Sequence, residues 1–228
     1  MPLCQGYWLL AFPADWRQPP RWSRRWHTEV VSGPDGGETR FAPSPWPRAA
    51  LAYRVTARSA AERAWLERLL RAALAAGRAC APYWGWGQCL SAWTRQPEHS
   101  QAQLPDSGWE WQAGDGIFLA PPGWSSLAPD LSPAEAATVT QASRTEEGWT
   151  LELAGALTGA YPPPALAWPL LFGTLTADAF DTTSNLWGSI TLTLTEQTPR
   201  LAHQLGVAPP DPGPGLGVMS LETTFRVA

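Results

Sequence analysis

One segment of this 228-residue chain carries a complete helix signature, and its surroundings do not. Ser59-Ala60-Ala61-Glu62 is a capping box, in which the Ser59 hydroxyl accepts from the amide three residues on and the Glu62 carboxylate reaches back. Behind it Ala61, Trp65, Leu66, Leu69, Leu70, Ala73 and Leu74 form one apolar stripe. Arg63, Glu67 and Arg71 recur on the opposite face at intervals of four, where ion pairs across one turn support a helix. Gly77 stops it, because glycine adopts the left-handed terminal conformation without a Cβ penalty. The spacing predicts a helix over about 59–76. A lone amphipathic helix must bury its stripe, and among strand-like segments the available surface is a sheet.

Those segments are short and alternating. A strand is expected near Trp26–Val31, followed by a Gly33-Pro34-Asp35-Gly36-Gly37 turn and a second strand at Glu38–Phe41. Ala50–Ala57 alternates, with Leu51, Tyr53 and Val55 on one face. Arg78–Trp86 reads as a short strand, and 96–108 as a polar, Pro-containing linker. Trp109–Trp111, Ile117–Ala120, Ala137–Gln141 and Trp149–Leu153 read as strands of a small β unit. Pro169–Leu175, Leu186–Thr195 and Met219–Val227 complete the set, with a Pro/Gly loop at 208–217. The fold class expected is mainly β. The composition shifts near 96, and the strands of 169–195 need partners.

Composition removes several functions. Only 16% of residues are charged and the net charge is −4, so bulk attraction to nucleic acid or an anionic membrane is not expected. No apolar run approaches the ~20 residues of a membrane helix, and the N-terminus lacks a signal-peptide pattern. Three cysteines, Cys4, Cys80 and Cys89, are too few for a disulfide framework, so a reducing cytoplasm is the expected place of synthesis.

No constellation promises chemistry. His27, His99 and His203 are isolated, and the cysteines lack metal-ligand spacing, so no metal and no cofactor are expected. No nucleophile elbow is present. Asp106, Glu110 and Asp115 lie near Trp109 and Trp111, and Asp178 and Asp181 flank Phe180, but these read as solvated turn acids rather than a glycosidase pair. The Gly213–Gly217 string lacks the strand-then-helix context of a phosphate loop. The chain is not expected to be an enzyme.

The aromatic residues carry more. There are 15 Trp and 24 Pro, and all 16 basic residues are Arg, partly a mark of G/C-rich coding. Trp16, Arg21, Trp22, Arg24, Arg25 and Trp26 crowd a Pro-rich N-terminal arm. Arg and Trp are enriched at interface hot spots, so these residues, with Trp84 and Trp86, are the candidate subunit interface. If so, deleting residues 1–24 should leave a folded monomer that fails to assemble. Trp84-Gly85-Trp86 and Trp109-Glu110-Trp111 could instead set paired indoles on one side of a strand, as a sugar platform would or as two layers of core would. A carbohydrate-binding, receptor-binding β module is therefore the alternative function.

The order of features resembles bacteriophage distal tail proteins and related tail-tip or baseplate proteins, including those of gene-transfer agents. The elements that carry the resemblance span most of the chain. They are Ser32-Gly33 with Glu38-Thr39-Arg40, Pro47-Arg48 before Leu51–Val55, the Glu62…Leu66…Leu69-Leu70 helix, and Pro82-Tyr83-Trp84. Ala113-Gly114-Asp115, Leu151–Leu157 before Tyr161-Pro162, and Pro169…Gly173-x-Leu175 follow in order. The extra Pro34-Asp35-Gly36 and the long 208–217 loop depart from the pattern.

The resemblance implies a tail-tube-like β-sandwich or barrel formed by 1–95 plus 166–228, with the helix packed on it and a small β domain inserted over 96–165, as the composition shift near 96 supports. It also implies a structural virion protein, assembled in the host cytoplasm. Its partners would be identical copies in a ring, commonly a hexamer, with the tail tube protein on one side and the tail hub on the other. DNA would pass through the lumen without specific binding, which a negative chain suits.

Overall fold

The computed structural model describes residues 3–32, 38–41, 47–95, 100–124, 134–154, 157–178, 188–196 and 218–223, with side chains outside 25–32, 38–41 and 218–223. The chain is mainly β; the described residues hold one α-helix, and their strands join in a single curled 15-stranded sheet. The Gly33–Gly37 turn, Phe180, Asp181 and the 208–217 loop lie outside the described residues.

The N-terminus makes a tight hairpin, β1 (Leu3–Cys4) and β2 (Tyr7–Leu9), turned at Gln5 and Gly6, both at positive φ. Strand β3 (Arg21–Ser32) begins earlier than the sequence suggests and pairs with β4 (Glu38–Phe41) and β5 (Arg48–Ala57). Arg25 faces Arg48 across one edge of β3 and Glu222 of β15 (Val218–Thr223) across the other. Glu29 likewise faces Phe41 and Val218. β4 and β5 therefore lie on the same edge of β3, as two pieces of one returning strand. β4 pairs with β3 alone among the described strands, so the far end of β3 and β4 is a two-stranded ribbon.

In β5 the expected face is buried: Leu51, Tyr53 and Val55 all lie in the core. Helix α1 (Ala60–Ala76) follows with the expected ends. Ser59 Oγ accepts from Glu62 N at 3.1 Å, while Glu62 Oε2 accepts from Arg58 N rather than from the cap residue itself. Gly77 sits at φ 65° and donates its N–H to Leu74 O. Trp65, Leu66, Leu69, Leu70 and Ala73 are buried, whereas Ala61 and Leu74, at the ends of the predicted stripe, are exposed. The surface ion pair is Arg63–Glu67 at 2.8 Å.

Past the helix, β6 (Ala79–Pro82) is shorter than expected, because Trp84–Trp86 forms a turn of 3-10 helix. β7 (Gln88–Cys89) and β8 (Ala92–Arg95) follow. The expected linker is in fact strand β9 (Ser100–Pro105), with Ser100, Ala102 and Leu104 turned inward. Trp109–Trp111 is not a strand. Next come β10 (Gly116–Ala120), β11 (Glu135–Thr145), β12 (Gly148–Ala154), β13 (Leu166–Ala177) and β14 (Gly188–Glu196).

β13 organises the whole molecule. One edge pairs with β10 over Leu166–Leu170 and then with β14 over Gly173–Ala177. The opposite edge pairs with β7 and then β6. Its first half thus belongs to the layer β8-β9-β12-β11-β10, and its second half to β15-β3-β5-β14. Two cores result. The larger joins the helix, the N-terminal segment, β5, β6 and β14; the smaller joins β9 to β12 with Leu157, Tyr161 and Ala165. β10 is the wall between them: Phe118 and Ala120 face the larger core, Ile117 and Leu119 the smaller. A strand buried on both faces must be apolar throughout, which Gly-Ile-Phe-Leu-Ala is.

Candidate functional site

The N-terminal stretch is built into the body of the protein. Leu9, Leu10, Ala11, Phe12 and Ala14 are buried. Leu10 N donates to Cys80 O at 2.8 Å, and Tyr53 Oη donates to Leu10 O at 3.1 Å. Asp15 N donates to Arg54 O, while the Asp15 carboxylate accepts from Thr56 Oγ1 at 2.8 Å and from Arg17 at 2.7 and 2.9 Å. Hydrogen bonds from Arg17 hold the Asp15 carboxyl far below the usual carboxylate range. Backbone bonds to neighbouring strands replace the regular ladder that Pro13, Pro19 and Pro20 forbid.

The candidate interface residues disperse. Trp16 stands out at the surface, 61% exposed, and Arg21 is exposed at the start of β3. Arg25 and Trp26 lie in β3 opposite Arg48 and Leu221, and their side chains lie outside the described residues. Trp84 belongs to the core, stacked on Trp124 with centroids 6.4 Å apart and edge-on to Trp168 at 5.4 Å. The two indoles of Trp84-Gly85-Trp86 do not share a side of a strand, because the 3-10 turn sends Trp84 inward and leaves Trp86 half-buried. Trp111 is buried and Trp109 half-buried, so no flat indole pair is presented there either.

Trp22, Arg24 and Trp86 do meet. Trp22 Nε1 donates to Tyr83 Oη at 2.9 Å, and its ring meets Trp86 edge-on at 5.7 Å. Trp109 packs on both Tyr83, at 5.2 Å, and Trp86, at 5.9 Å. The Arg24 guanidinium lies over the Trp22 ring, 4.8 Å from its centroid. Trp22, Arg24, Tyr83 and Trp109 line a cleft of about 370 Å³, with Trp86 packed against the three rings. Tyr7 and Phe172, in edge contact at 5.2 Å, line another part of it.

Polar groups enter the cleft from three directions. Gln5, displayed by the β1–β2 turn, donates Nε2 to Gly114 O at 3.1 Å and Thr138 Oγ1 at 3.0 Å. The turn before β10 presents Gln112 and Asp115, and the Asp115 carboxylate accepts from Gln112 N at 3.0 Å. That turn is pinned to β11 by Gly114 N to Val139 O and Val139 N to Asp115 O, both 2.8 Å. Glu196, 8% exposed at the end of β14, accepts from Ala49 N at 3.0 Å. Of this group, Trp22, Arg24, Trp86, Trp109 and Asp115 are the residues the sequence singles out for an interface, a sugar platform or chemistry.

The three cysteines behave differently. Cys4 and Cys80 are buried free thiols, and burial pushes the Cys80 thiol well up. Cys89 is exposed. Among the described residues no group of His, Cys, Asp and Glu is arranged to hold a metal ion, and no helix is long and apolar enough to cross a membrane.

No protein-family model matches the chain, and no curated protein matches it in sequence.

Proposed function

We propose that this chain is a structural protein of a phage tail tip, assembling without cofactor or catalytic step into a ring that connects the tail tube to the tip or hub. The observation that supports it most directly is the β3/β4 ribbon. The outer edge of β4 carries backbone donors and acceptors that no described strand takes up. Such an edge is a template for a neighbouring strand. A contact between that edge and a different surface of an identical copy is head-to-tail, and head-to-tail contacts close into rings when the rotation allows.

The rest of the reading follows from the resemblance. Residues 1–95 with 166–228 form the tube-like domain and 96–165 the insertion. Six copies surround a lumen, the tube protein sits on one face and the hub on the other. The net charge of −4 lets DNA pass without adhering. The exposed Trp16 and Arg21 supply the side-chain types that anchor interfaces.

Electron microscopy of the purified protein, alone and mixed with a phage tail tube protein, tests this. Sixfold rings in either preparation are expected. Monomers in both preparations, with no joint complex, would refute it.

A further inference from the structure

The aromatic cleft beside Trp22 is a built site rather than a gap between packed elements. Its aromatic lining of Trp22, Tyr83 and Trp109, with Trp86 packed against all three, is fixed by a hydrogen bond and four ring contacts. Its polar groups come from chain segments far apart in sequence, and each segment is tethered by its own hydrogen bonds. A cavity of about 370 Å³ lies toward the small end of the ~300–1,000 Å³ typical of small-molecule sites. It has room for one or two small rings.

The lining narrows what those rings are. Half-buried indole and phenol faces offer flat apolar surface with a polar edge, which suits a ligand that is apolar on its ring faces and polar around its rim. The rim groups supplied are planar side chains: the amides of Gln5 and Gln112, the carboxylates of Asp115 and Glu196, and the Arg24 guanidinium. Planar amides, carboxylates and guanidinium groups each bond two adjacent donors or acceptors at once. The Gln112 side chain makes no hydrogen bond among the described residues, although it stands half-buried at the cleft, so its donors and acceptor remain for a ligand. Two carboxylates against one guanidinium disfavour an anion.

We propose that this cleft binds a neutral saccharide, one pyranose ring stacking on the Trp22–Trp109 wall while vicinal hydroxyls bond Gln112, Asp115 and Arg24. Of the paired indoles suggested by the sequence the site uses Trp109 alone, since Trp84 and Trp111 are buried and do not line it. It does not depend on ring assembly.

The test is titration of the full chain with D-glucose, D-galactose, D-mannose, L-rhamnose, N-acetyl-D-glucosamine and D-glucuronate. It is followed by tryptophan fluorescence, because Trp22 and Trp109 line the cleft, and by calorimetry. At least one neutral sugar should bind saturably with a Kd of about 1 mM, and Gln112→Ala and Arg24→Ala should each weaken it about tenfold with an unchanged melting temperature. Trp109 touches both cores, so Trp109→Phe serves as the stacking variant in place of alanine. The proposal fails if none of the neutral sugars binds, if glucuronate binds more tightly than all of them, or if binding survives both Gln112→Ala and Arg24→Ala.

Discussion

The Tyr161 hydroxyl donates to Glu135 Oε2 at 2.9 Å, and this bond closes the loop after β12 onto the first residue of β11. The same carboxylate accepts from Gly159 N at 3.0 Å, Thr158 N at 3.0 Å and the Thr158 hydroxyl. Burial alone would push the Glu135 carboxyl up. The donors from Thr158, Gly159 and Tyr161 outweigh it and hold the carboxyl below its ordinary value. Burial first, and then the bond to Glu135, push the Tyr161 hydroxyl far up.

The sign of the pH effect follows. A folded-state value below the unfolded ~4.3 means that the stabilisation is fully present above about pH 4.3. It is lost as pH falls through the depressed folded value. We predict that the urea midpoint falls between about pH 5 and pH 3, and that Glu135→Gln falls less steeply over that range. Tyr161→Phe should cost about 1–3 kcal/mol at neutral pH, the range for a hydrogen bond to a charged group and its orphaned partner. Parallel slopes for wild type and Glu135→Gln would show that the carboxylate does not govern this transition.

Deleting residues 1–24 should unfold the protein. Leu9, Leu10 and Phe12 are almost wholly buried, and burying each such side chain is worth about 1.5–3 kcal/mol. Together they approach the ~5–15 kcal/mol by which a domain is stable. Phe12 meets Trp65 of the helix edge-on at 5.1 Å, so Phe12→Ala alone should cost about 3–5 kcal/mol. Circular dichroism and denaturant melts of both variants check this. A deletion protein with a cooperative melt would return the segment to the status of an assembly arm.

That reversal shows what spacing conveys and what it omits. The helix was legible because its caps, its stripe and its Gly77 stop all lie within one continuous segment, and β5 because its alternation is clean. The N-terminal segment was not, because Pro13, Pro19 and Pro20 advertise irregular chain, and irregular chain reads as exposed. Here its backbone groups are taken up by Cys80 and Arg54 instead. β9 escaped because its inward Ser100 and Ala102 are small and its outward Gln101 and Gln103 polar, which matches a linker in composition. The cleft was illegible for a different reason. Gln5, Trp22, Tyr83, Gln112 and Glu196 share no local pattern and meet only through the pairing of β13 with strands from both layers.

Gly173 is the residue at which β13 passes from β10 to β14, and it faces Glu196. A Cβ placed there would run into the Thr195 backbone carbonyl, which cannot rotate aside as a side chain could. Gly173→Ala should therefore cost about 1–3 kcal/mol or more, as overpacking does. Gly85, in the 3-10 turn, has open space where its Cβ would be. Gly85→Ala should stay within about 0.5 kcal/mol of wild type. Thermal melts of the pair give the comparison, and equal melting temperatures would show that the sheet relaxes around the added methyl.

Trp16 offers the cleanest separation of assembly from folding. Its ring is 61% exposed, while the neighbouring Asp15 is fixed to Arg54 and Thr56, so the backbone beneath it is anchored and the indole projects outward. An exposed indole on a rigid base loses little freedom when a partner covers it, which favours it as an interface anchor. We predict that Trp16→Ala leaves the melting temperature of the isolated protein unchanged and weakens ring formation by about 2 kcal/mol per contact, the threshold of a hot spot. Sedimentation velocity across a concentration series, with particle counts by electron microscopy, measures both. Rings forming at the same concentration in wild type and variant would place Trp16 outside the contact, and a lowered melting temperature would mean that its ring supports the monomer.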